Sequence, residues 1–124
     1  MEPGETIVGL DFQNHLWIVV SAVSREQRVA LVNLTTHGRS SACGNHCVII
    51  APGEHPYVTR PSCVYYRGAY LNPNQPLDDA KASGNLNQHE PFQPDLLLRI
   101  QRGALNSRFT VDEVRDAISD TLRG

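Results

Sequence analysis

The sequence predicts an α+β fold, a small curled antiparallel sheet or barrel followed by C-terminal α-helices. Two observations carry this. Short β-rich runs bounded by turn residues fill positions 6 to 66, and the hydrophobic period changes from strand-like to helical after position 93. At 124 residues the chain is read as one domain, with a barrel over about 5–71, a connector over 72–92 and helices over 93–123. A chain of this length buries roughly two-thirds of its unfolded surface, so it needs neither metal nor disulfide to fold.

The elements follow in order. "TIVGL" (6–10) is a brief strand. "HLWIVVS" (15–21) is almost continuously apolar and β-branched or aromatic, which suits a strand buried on both faces. "RVALVNLTT" (28–36) is similar, and "SREQ" between the two is a hairpin connection. "HCVIIA" (46–51) and "SCVYY" (62–66) add two strands. In "PGEHPYVTRP" between them, Pro52, Gly53 and Pro56 forbid a continuous strand or helix and make a stiff, tightly turned loop. Residues 72–87 are polar and rich in breakers, a long connector with at most a helical turn near "PLDDAKA". In "PDLLLRIQRGAL", Pro94 suits a first helical turn, Asp95 suits the positive end of the helix, and Leu97, Ile100, Ala104 and Leu105 recur at helical spacing. In "TVDEVRDAISDTL", Thr110 and Glu113 have capping-box spacing, and Val111, Val114, Ile118 and Leu122 form a stripe.

Composition narrows the function class. No apolar run approaches the roughly 20 residues that span a bilayer, so no membrane partner is expected. The N-terminus lacks the basic segment and long apolar core of an export signal, which makes the cytoplasm the default location. Three cysteines, an odd number, fit a reducing compartment and free thiols. A net charge of -2 does not advertise a nucleic-acid binder, yet Arg25, Arg28, Arg39, Arg60 and Arg67 all lie among the strands and could make a basic face.

The strand wording "HLWIVVS", then "RVALVNLTT", then "CVIIAPGEHPYV" leading to "SCVYYRGAYL" resembles the MazF, PemK or Kid toxin family over residues 6 to 71. The resemblance implies a compact SH3-like barrel that forms homodimers. It also implies an endoribonuclease that cuts single-stranded RNA and is inhibited by the flexible tail of an antitoxin protein. A related branch on that fold, CcdB, poisons DNA gyrase, so a non-enzymatic binding protein is the alternative. Carried over by position, the arginine that opens the family's second strand corresponds to His15, the threonine closing the next strand to Thr35, and the neighbouring serine to Thr36. The family's acid and base positions fall near Tyr65, Tyr66 and Arg67, where this chain has no carboxylate.

Cleaving RNA through its own 2'-hydroxyl requires a base for that hydroxyl, an acid for the 5'-oxygen and donors for the phosphate oxygens, with no cofactor. Histidine suits both proton roles because its ordinary pKa is near 6.5. His15, at the entrance of an apolar strand, and His55, in the rigid loop, are the candidates. Each has a plain alternative, a strand-edge ring bonded to a main-chain carbonyl or a turn residue with a local hydrogen bond. Thr35 and Arg67 complete the expected catalytic set by holding phosphate. Thr36, His37, Arg39 and Tyr66 are the expected substrate-binding residues. Tyr65 and Tyr66 alternate across the sheet, so one faces a cleft and the other the core. Trp17 is expected to pack, and His89 to lie exposed.

The stretch "CGNHCVIIAPGEHPYV" (43–58) places Cys43, His46, Cys47 and His55 close enough in sequence to suggest zinc. It lacks the paired-cysteine spacing that makes such a signal specific, and strand alternation turns Cys47 inward, so no metal site is expected.

Overall fold

The computed structural model describes residues 1–11, 14–36 and 48–124. Among them β1 (Thr6–Val8), β2 (Leu16–Val19), β3 (Arg28–Thr36), β4 (Ile49–Ile50) and β5 (Ser62–Pro73) form one antiparallel sheet in the order β1-β2-β3-β5-β4. The sheet curls into a half-barrel, and α1 (Asn74–Ala82), α2 (Pro94–Asn106) and α3 (Asp112–Arg123) complete an α+β fold.

The continuous apolarity of β2 has the cause expected of it, because both faces of the strand are covered. Leu16 and Ile18 join a core shared with Val32, Val64 and Ile100, Ala104, Val114 and Ile118 of the last two helices. Trp17 and Val19 join a second core on the opposite face with Met1, Ile7, Leu31 and Leu77 of α1. Fully burying Ile118 alone is worth about 1.5–3 kcal/mol, so the helical stripe is what holds α3 to the sheet. The stripe is shorter than its sequence pattern, for Val111 and Leu122 at its ends are exposed.

The β2–β3 connection turns at Ser24 to Gln27, where Gln27 takes a left-handed φ of 61° and the Ser24 N–H donates to the Arg28 carbonyl. β3 then pairs with β5 across a large irregularity. Leu31 faces Tyr70 and Asn33 faces Tyr65, so residues 66–69 stand opposite Val32 alone. The bulge decides the tyrosines: Tyr66 enters the helix-side core and donates its hydroxyl to the Ile100 carbonyl at 2.7 Å. Gly68 is required there, because a Cβ would come within 2.8 Å of the Tyr65 ring.

Three sequence expectations are corrected. The connector contains a nine-residue helix, α1, running directly on from β5. Pro76 does not break it, since proline in a first turn removes only an N–H that has no partner inside the helix. The capping box before α3 does not form: Val111 is the N-cap residue, and among the described residues no side chain caps the helix and the buried Thr110 hydroxyl has no hydrogen-bond partner. Arg115 fastens this junction instead, donating to the carbonyls of Leu105, Ser107 and Thr110. Finally, Cys63 is disulfide-bonded rather than a free thiol. The other two cysteines, Cys43 and Cys47, lie outside the described residues.

No helix among the described residues is long and apolar enough to cross a membrane.

Candidate functional site

A cleft of about 310 Å³ opens where β2 begins and β3 ends, lined by Asn14, His15, Thr35, Thr36, Arg60 and Ser62 among others. The sheet puts them together for a simple reason. β2 and β3 are antiparallel, so the first residues of one meet the last residues of the other, and Thr36 in turn pairs with Ser62 at the start of β5.

His15 is held in one orientation by a residue the sequence reading did not select, Asp11. Its carboxylate lies 2.7 Å from His15 Nδ1 and accepts the His15 main-chain N–H at 3.1 Å and the Trp17 indole N–H at 3.2 Å. Asn14 makes the tight return possible by adopting a left-handed φ of 54°, a conformation asparagine tolerates better than most residues. Burial alone would raise the Asp11 carboxyl, but the hydrogen bonds from the His15 ring and main chain and from Trp17 outweigh it and hold the group below its ordinary value. An ionised carboxylate only accepts, so Nδ1 carries the proton and Nε2 is left to exchange one. Carboxylate, oriented imidazole and an adjoining cleft form a general-base arrangement. A hint was available in "LDFQNHLW", where an acid precedes the histidine by four residues, but only the folded turn closes that spacing.

The rest of the cleft suits an anion. Among the described residues no hydrogen bond engages the side chains of Thr35, Thr36, Thr59 or Arg60, and no carboxylate pairs with Arg60. Thr35, Thr36, Thr59 and Arg60 thus line the concavity without partners for their donors among the described residues, and of the adjacent pair on β3 only one hydroxyl, that of Thr35, lies on the sheet face that carries His15 and Trp17. Arg60 was expected only as part of a basic face, and Thr59 and Ser62 were not singled out, because a loop residue's proximity to a distant strand end has no local pattern.

The opposite wall is the loop from Ala51 to Arg60, and His55 explains its stiffness. His55 is 3 % exposed and stacks on Phe92 with ring centroids 4.3 Å apart. Its Nδ1 accepts the Tyr57 main-chain N–H at 3.1 Å, so the ring proton is on Nε2, which donates to the Glu90 carbonyl at 2.7 Å. Both nitrogens are engaged by main chain, and the ring does not line the cleft. Glu54 adds a second brace by accepting from the Ala51 N–H and from Arg99, and these contacts hold its carboxyl below the ordinary range. Tyr57 closes the wall over the mouth, its hydroxyl donating to the Asn14 carbonyl at 3.0 Å. His89 is exposed, as expected, though it sits edge-on to Tyr57 at 5.3 Å.

Of the expected site residues, then, His15, Thr35 and Thr36 come together in the cleft. His55 stands behind the loop as its anchor. Tyr66 lies in the core with its hydroxyl on Ile100, so the face expected for it in base stacking is not available. Arg67 is exposed on the β5 bulge with its guanidinium 4.2 Å from the centre of the Phe109 ring, outside the cleft lining. His37 and Arg39 lie outside the described residues, as do Cys43, His46 and Cys47 of the possible zinc set. Among the described residues no group of three or more His, Cys, Asp or Glu side chains is placed to hold a metal ion. Comparison with family models, curated proteins and solved structures finds no match to this chain.

Proposed function

We propose that the chain is a MazF/PemK-like endoribonuclease that cleaves single-stranded RNA by acid–base catalysis through the substrate's own 2'-hydroxyl. The observation that carries the reading is the Asp11–His15 pair at the edge of a hydroxyl-lined cleft containing Arg60. His15 Nε2 takes the proton of the 2'-hydroxyl as its oxygen bonds to phosphorus, and the bond from phosphorus to the 5'-oxygen breaks. The departing oxygen takes a proton from water, leaving a 2',3'-cyclic phosphate and a 5'-hydroxyl, and the hydroxide so formed takes the proton held on His15 Nε2, which restores the base. Asp11 stabilises the imidazolium formed in the first step, while Arg60 and Thr35, the threonine on the sheet face that carries His15, donate to the phosphate oxygens as charge develops. His55 has no proton to exchange in this scheme. It acts as a positioning residue that keeps the loop bearing Arg60 in place.

The same reading carries an SH3-like barrel, a homodimer, a cytoplasmic location and an antitoxin protein as inhibitor. The test is incubation of the purified protein with total RNA in the presence of a chelator. Discrete cleavage with 2',3'-cyclic ends, lost in His15→Ala, is expected. Undiminished cleavage by His15→Ala would remove the assignment of the base. Absence of any cleavage by the native protein, with a protein target co-purifying, would favour a non-enzymatic binder on this fold.

A further inference from the structure

Two arginines lie against one aromatic ring outside the cleft lining. The Arg67 guanidinium lies 4.2 Å from the centre of the Phe109 ring and that of Arg108 lies 5.0 Å from it. The two cationic centres are therefore no more than about 9 Å apart, each within the range of cation–π attraction. Arg67 and Arg108 are exposed, and Phe109 is half-buried. Arg99 is committed to Glu54, Arg123 to Asp120, Lys81 to Glu5 and Arg115 to three carbonyls, whereas Arg67 and Arg108 are the two arginines placed together on one ring. Neither Arg67 nor Arg108 has a carboxylate partner among the described residues. A ring in place of a carboxylate orders a guanidinium while leaving its donors unused, so the pair keeps both its charge and its hydrogen-bonding capacity. Two exposed like charges on one ring repel each other only weakly in water, and an anion that bridges them meets both.

The position of the pair gives it a partner. Ser62, which lines the cleft, and Arg67 belong to one strand and stand five residues apart. At about 3.3 Å per residue, shortened by the bulge, that is roughly 15 Å or less. We infer that Arg67, Phe109 and Arg108 form a second binding site, gripping the phosphate backbone of a single-stranded nucleic acid whose neighbouring segment occupies the cleft. Phe109 and the guanidinium planes also offer flat faces on which an unpaired base can stack. The choice of strand rests on the ribonuclease reading of the cleft; the anion site itself does not.

The test measures binding without cleavage. Fluorescence anisotropy would follow a 2'-O-methyl RNA decamer and trimer, neither able to react, over a series of salt concentrations. For Arg67→Gln/Arg108→Gln the salt slope of decamer binding should fall by about 1.4, two phosphate contacts at 0.7 each. That is a loss of about 25-fold at 0.1 M salt if native and variant proteins bind equally at 1 M. The trimer, too short to reach both sites, should bind both proteins alike. Arg67→Lys/Arg108→Lys keeps the charges and should keep the slope. An unchanged decamer slope in the glutamine pair overturns the inference, as does an equal loss of slope in the lysine pair, which would mark a folding defect. Because no arm requires turnover, a protein that fails to cut RNA can still pass, and one that cuts it can still fail.

Discussion

Replacing Asp11 with asparagine is the sharpest probe of the cleft. The amide is nearly isosteric, but with its oxygen kept on the His15 main-chain N–H its NH2 replaces the oxygen that accepts from Trp17, so the indole N–H loses its acceptor and the fold loses about 1–3 kcal/mol. The consequence for His15 is larger. An Asn amide facing Nδ1 across a 2.7 Å contact can donate, and the ring then accepts at Nδ1 and carries its proton on Nε2. That tautomer has no lone pair to offer the 2'-hydroxyl. A positioned general base is worth about 10²–10⁴ in rate, so single-turnover cleavage should drop by that factor, some 2.7–5.5 kcal/mol in barrier, with KM little changed. The His15 ring should report the cause directly: nitrogen-15 NMR is expected to show the proton on Nδ1 in the native protein and on Nε2 in Asp11→Asn. Cleavage within about threefold of native, or an unchanged tautomer in an inactive variant, would refute the account of Asp11 as the group that aims the base.

Further outcomes follow from the packing. His55→Phe keeps the stack on Phe92 but leaves the Glu90 carbonyl and Tyr57 N–H without their partner, and should lower unfolding free energy in urea by about 2–4 kcal/mol. Gly103→Ala would bring a Cβ within 2.2 Å of the Tyr66 hydroxyl and 2.3 Å of Val48. It should therefore destabilise by about 1–3 kcal/mol despite the better helix propensity of alanine, and combining it with Tyr66→Phe should give a cost below the sum of the two. Stability should fall as pH drops below the ordinary carboxylate range. Burial tends to raise Glu5 and Asp11, hydrogen bonds and nearby charges lower them further, and Glu54 and Asp78 are lowered chiefly by hydrogen bonds, so all four have depressed folded values. Their contribution is present above the unfolded values and is lost as pH falls through the folded ones, which urea midpoints measured from pH 7 to pH 2 would trace. Lys81, raised chiefly by its hydrogen bond with Glu5, gives the opposite limb, a contribution complete below its unfolded value and lost as pH rises through the folded one.

What could be read in the sequence was what local physics sets. β3 spans residues 28–36 as its apolar run and flanking turn imply, and α2 and α3 follow the helical period. α1 was hidden because Pro76 and the polar residues around it have the same appearance in a loop as in the exposed first turn of a helix. Strand alternation could say that Tyr65 and Tyr66 part company but not which goes inward, since the answer depends on four residues facing one across the bulge. His55 was recognisable as a constrained histidine, yet its constraint comes from Glu90, 35 residues away. The cleft was half legible for the same reason. His15, Thr35 and Thr36 lie on strand ends whose pairing can be anticipated, whereas Asp11 and Arg60 reach it through turns.

The inward turn of His55 has a consequence for selectivity. Because the loop wall is fastened from behind through the ring and across the mouth through Tyr57 and Asn14, a ligand entering the cleft does not have to order it. Association then avoids the conformational entropy that a floppy wall would cost, and affinity can come from few contacts. The same rigidity removes induced fit as a means of accommodating larger groups. A site of this kind discriminates by shape at entry, accepting or refusing a ligand before any bond is strained.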